Sequence, residues 1–177
     1  MGTQRVDLGP TGEAVAANIA RMRSRSGLTL RQLAARISDA GRPISHTTLS
    51  QIEAYSRRVT VDELVAIAAA LDVTPSTLLM PHVDDASTEV EASGVQPTTA
   101  FDLWRWVTAQ APHPLDSEVP VDVDWLHRTR PLWTFRQMTD DELRDALVTN
   151  PLRVAMKRTG ADHSSESTPR DLDRGDD

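Results

Sequence analysis

Thr29-Leu30-Arg31-Gln32-Leu33-Ala34, then Ala40-Gly41-Arg42-Pro43, then Ser45-His46-Thr47-Thr48-Leu49-Ser50-Gln51-Ile52-Glu53 form the stretch on which the fold turns. Thr29 and Gln32 have the spacing of a capping box, in which a hydroxyl and a side-chain amide each satisfy a backbone amide that the first helical turn leaves unpaired. A helix is therefore expected from Leu30 to about Asp39. Gly41 and Pro43 interrupt it, and Ser45 is a good N-cap for a short helix with Leu49 and Ile52 inward, ending between Ala54 and Arg57. Two short helices joined by a turn are the arrangement that lets the second project into a DNA major groove.

Upstream, Val15, Ile19 and Met22 recur at helical spacing and Gly27 follows as a stop signal, which predicts a helix over about 13–26. Downstream, Thr60-Val61-Asp62-Glu63 is a second capping box, opening a helix with Leu64, Ile67, Ala68 and Leu71 on its apolar stripe. Thr74-Pro75 places a cap and then Pro at the first helical position, so a final turn is expected over 76–80 before Pro81. From His82 to Thr99 acids, Ser, Thr, Gly and Pro follow without a basic residue or a period, which predicts a solvated acidic linker and a domain boundary. Beyond it Phe101, Trp104 and Val107 suggest a helix over about 99–110, then a Pro-broken stretch with Trp125 and Trp133. Thr139-Asp140-Asp141-Glu142 is a further box, with a helix to about Val148 expected after it. The expected fold class is mainly α: an N-terminal arm (1–11), a five-helix domain (12–81), the linker (82–99), a Trp-rich region of unassigned fold (100–159) and a disordered acidic tail (160–177).

The net charge of -7 over 177 residues, taken alone, argues against a polyanionic partner, but it is an average over unlike halves. Residues 1–80 hold nine Arg against seven acids, and residues 81–177 hold ten basic against nineteen acidic residues. Between Ile19 and Arg58 eight Arg face only Asp39 and Glu53, a strip suited to phosphates. No apolar run approaches the ~20 residues that cross a bilayer, and the N-terminus lacks the apolar stretch of a signal peptide. With no cysteine, disulfides, thiolate metal sites and thiol nucleophiles are excluded, and a cytoplasmic location is expected.

Taken with Val61 to Val73, these motifs resemble the phage-repressor helix-turn-helix family, the Cro/cI or XRE class, over about residues 12–80. The resemblance implies a lambda-repressor-like five-helix domain and a DNA-binding transcriptional regulator, expected to be a repressor and a homodimer on a double-stranded operator. It places His46, Thr47, Thr48 and Gln51 where family members contact base edges. Backbone contacts are implied at Thr29, Arg31, Arg42, Ser45, Arg57 and Arg58, and a structural pair between Arg23 and Glu53. Three departures stand out: Leu30 replaces a Gln common at that place, the 38–44 connection is longer than usual, and Ala54-Tyr55-Ser56 lacks the Gly that often ends the reading helix, so a longer helix is expected. Having Arg in place of Lys, with Lys157 the single lysine, and Trp residues after the module suggests an actinobacterial type.

Other chemistry is weak. The histidines (46, 82, 113, 127 and 163) lack metal-ligand spacing and no catalytic constellation stands out, so neither an enzyme nor a metal or cofactor is expected. Six of seven aromatics lie between Phe101 and Phe135, which predicts a second core; Trp104, Trp106, Trp125 and Trp133 could instead serve a dimer contact or a protein or small-molecule effector. An antitoxin-like interaction subunit with secondary DNA binding, and a phage or prophage immunity repressor, are the alternative readings.

Overall fold

A computed structural model of the chain describes residues 6–112 and 123–134. They belong to two compact units, residues 1–121 and 122–177. The first is built on five helices: α1 (Pro10–Arg25), α2 (Leu30–Asp39), α3 (His46–Glu53), α4 (Val61–Ala70) and α5 (Pro75–Leu79). The side chains of Thr29, Ser45, Thr60 and Thr74 each accept the amide three residues on, and Thr29 and Thr60 complete full capping boxes. α1 starts three residues earlier than expected because Pro10 holds the first helical position, where its missing N–H costs nothing.

The helices close over Val15, Ala16, Ile19, Leu33, Ile37, Leu49, Ile52, Ile67, Ala68, Leu71 and Leu78, all buried. Ile44, in the long α2–α3 connection, is buried with them, so that connection is anchored in the core. Asn18 is buried too, and its amide nitrogen donates to the carbonyls of Leu78 (3.0 Å) and Met80 (2.6 Å), tying α1 to the end of α5.

The expected linker over 82–99 is overturned as local structure. Residues Glu89–Ala92 (β1) and Val95–Thr99 (β2) form an antiparallel hairpin turning at Gly94 (φ 78°). Its tip docks on the start of α1: the Ser93 amide donates to Thr11 Oγ1 at 2.8 Å. A Cβ at Gly9 would sit 2.6 Å from Ser93 Oγ, so any side chain there makes that hydroxyl turn away. β1 buries Val90 between two exposed glutamates, and so short an alternation carries no periodic signal.

Thr99 then caps α6 (Ala100–Val107). A second apolar cluster in this unit is aliphatic: Val90, Ala100 and Leu103 are buried, with Met80, Val83, Val95 and Val107 packed on them. Trp104 and Trp106 remain 36% and 38% exposed, and Phe101 carries the Arg105 guanidinium 5.6 Å from its ring centre. In the second unit α7 (Val123–Thr129) and a short turn at Leu132–Thr134 are described; Trp125 is buried and Trp133 exposed. The helix expected before Val148 and the tail after Gly160 lie outside the described residues.

Candidate nucleic-acid interface

α3 turns Leu49 and Ile52 into the core, which leaves His46, Thr47, Ser50 and Gln51 exposed on its other side. At 100° per residue, Thr47 and Ala54 lie nearly opposite the two core residues, with Ser50 and Gln51 flanking them. Ser50 is not among the contacts expected from the sequence; its spacing of three from Thr47 and four from His46 is the signal that puts it on this face. Thr48 lies toward the core flank and is half-buried, with its hydroxyl 2.9 Å from Ser45 Oγ and its amide donating to that oxygen at 3.0 Å. Ser45 and Thr48 are therefore bound to each other in the cap.

α3 stops at Glu53 and does not run on, contrary to the expectation drawn from the missing glycine. Tyr55 adopts the left-handed conformation (φ 58°) that a glycine would normally take. The amides of Tyr55 and Ser56 donate to the carbonyls of Ile52 (3.0 Å) and Gln51 (2.9 Å), and the Ser56 hydroxyl also reaches the Gln51 carbonyl at 3.0 Å.

At the start of α2 the capping box uses the Thr29 and Gln32 amides, so the donors left facing outward are those of Leu30 and Arg31. An N-terminus of this kind favours an anionic oxygen through its free N–H groups and the helix dipole. Arg31 is exposed and has no ion-pair partner among the described residues. Arg58 is exposed and donates to the Asp7 carbonyl at 2.8 Å. Arg42 pairs with Asp62 at 3.1 Å, both largely exposed, an attraction that solvent weakens.

Two of the arginines hold the frame. Arg23 makes a two-pronged bond to Glu53 (2.7 Å each) and a third to the Leu28 carbonyl (2.8 Å), locking the ends of α1 and α3 together behind the exposed face. The bonds that Arg23 donates to Glu53 raise its pKa further, so the guanidinium stays charged. Arg57, expected at a phosphate, grips Glu63 at 2.8 and 3.2 Å. Burial opposes ionisation of Glu63, but the Arg57 bonds and the Thr60 amide outweigh it and hold the carboxyl below the usual range.

No group of three or more metal-ligating side chains occurs among the described residues, and none of their helices is long and apolar enough to cross a membrane. The expected base-contact residues are gathered on one short helix, whereas Trp104 and Trp106 belong to the first compact unit and Trp125 and Trp133 to the second. No curated protein and no solved structure matches the chain. Residues 19–78, about a third of the chain and running from the second half of α1 into α5, match the family model described as helix-turn-helix, of the Cro/cI type.

Proposed function

We propose that the protein is a sequence-specific transcriptional regulator that lays α3 in the major groove of operator DNA. The observation that carries this reading is the exposed face of α3, made of polar hydrogen-bonding side chains and set in an arginine-rich strip. Gln51 can pair with adenine through two bonds, and Thr47, His46 and Ser50 can reach neighbouring base edges. Thr48, its hydroxyl held by Ser45, contributes by fixing the first turn of α3. Phosphates are met by the α2 N-terminus, Arg31 and Arg58, and by Arg42 once it leaves Asp62; Arg57 stays with Glu63.

One such module buries only about 600–1,000 Å² on DNA, so a two-fold dimer reading half-sites ~34–36 Å apart supplies the remaining affinity. Acting by occupancy of its site, the dimer would repress. Selection of bound sequences from random duplex DNA should enrich a two-fold symmetric motif; no enriched motif at moderate salt would sink the proposal. Gln51→Ala should relax preference at one base position per half-site, whereas Arg31→Ala should weaken binding to all sequences and reduce the salt slope by about one for each phosphate it no longer neutralises.

The exposure of Trp104 and Trp106 supports a second reading, in which α6 holds a protein partner and DNA binding is secondary. A partner that copurifies with the chain and is released by Trp104→Ala would favour it.

A further inference from the structure

A groove of about 540 Å³ opens where the start of α1, the turn after α3, the exit from α5 and strand β1 come together. Leu8 and Val90 give it apolar wall, and Glu13, Tyr55, His82 and Glu91 supply its titratable groups. Its volume lies within the range of about 300–1,000 Å³ typical of small-ligand pockets. All of the lining except Tyr55 falls outside residues 19–78, so the groove is made by what this chain adds to the helix-turn-helix.

We propose that this groove binds a small organic cation with an apolar body. Glu13 and Glu91 are exposed, and neither carboxylate has an ion-pair or hydrogen-bond partner among the described residues. No Lys or Arg is among the described residues that line the groove, so these two charges set its sign and an anionic ligand is repelled. Tyr55, 40% exposed, lines the groove as well, and an aromatic ring attracts an ammonium group to its face. The apolar walls then discriminate between an inorganic cation, which gains nothing from them, and an amine with a hydrocarbon body, which buries it there.

The proposal is independent of the DNA reading and is tested on the full chain without DNA. 4-Phenylbutylamine, 4-phenylbutanol and 4-phenylbutyrate share one body and differ in charge, and each is titrated by calorimetry. The amine should bind saturably at one site per chain, the alcohol more weakly and the carboxylate not at all. Glu13→Gln with Glu91→Gln should weaken the amine about five-fold or more while leaving the alcohol unchanged. Ala17→Trp, at an exposed position of α1 on the groove wall, should block both ligands. Amide chemical shifts perturbed by the amine should cluster around Glu13, Tyr55 and Val90. Equal affinity for amine and alcohol, no effect of removing the two carboxylates, perturbations elsewhere, or no saturable binding would each overturn the assignment.

Discussion

Asn18 shows how a single buried polar residue holds distant parts of this fold. Its amide nitrogen serves two carbonyls at the end of α5, and its oxygen accepts from Arg21 at 3.0 Å. Asn18→Leu keeps the branched shape in a bulkier side chain but leaves the Leu78 and Met80 carbonyls without that donor, and should destabilise by about 1–3 kcal/mol in chemical denaturation. A neutral result would mean that water replaces the amide there. Tyr55 is the second informative residue. A side chain in the left-handed region is strained, so Tyr55→Gly should stabilise by about 1 kcal/mol, with α3 unchanged in length. A loss of stability would show that the ring's packing outweighs the backbone strain. Neither role was legible in the sequence: Asn18 sits on a helix among apolar residues, and Tyr55 stands where its type gives no turn signal.

Among the elements, α4 carries the clearest pH dependence. Glu63 ionises more readily in the folded chain than in the unfolded one, where a glutamate titrates near ~4.3. The resulting stability is fully present above that range and is lost as pH falls through the lower folded value. Glu63→Gln retains the capping geometry but loses the charge pair with Arg57, and should cost about 1–2 kcal/mol at neutral pH. Denaturation from pH 7 to 3 should show the gap between the two proteins closing as the acid limit is approached. A constant gap would mean that shape, not charge, makes the contribution. The hairpin illustrates the opposite case: one buried valine and a tip docked through Thr11 and Ser93 left too little pattern to be read in advance.

For the whole molecule, the hairpin and α6 share a compact unit with the five helices, which changes where the chain can be cut. A fragment of residues 1–82 would strip Val90 and Leu103 from Met80, whereas residues 1–112 keep the second apolar cluster whole. The longer fragment should unfold at a distinctly higher denaturant concentration; equal midpoints would show that the hairpin adds no stability. Residues 113–177 carry nine basic and fourteen acidic residues, so removing them lowers the negative charge that opposes DNA. The 1–112 fragment should accordingly bind non-specific DNA more tightly than the full chain at low salt, and the difference should vanish as salt screens it. Unchanged or weaker binding would reject a screening role for the acidic half.

What the sequence by itself determined is the set of events confined to a few neighbouring residues. Thr29, Ser45, Thr60 and Thr74 start helices because a hydroxyl three residues before an amide satisfies it wherever the rest of the chain lies. The 3.6-residue period of Leu49 and Ile52 likewise left His46, Thr47 and Gln51 outside. Only the tertiary structure decided which polar groups remain free to act. Arg57 is taken up by Glu63, while Glu13 and Glu91 are left unpaired in a groove between segments about eighty residues apart. Pairing across such separations depends on how the helices pack, and packing leaves no periodic trace in the residues that it brings together.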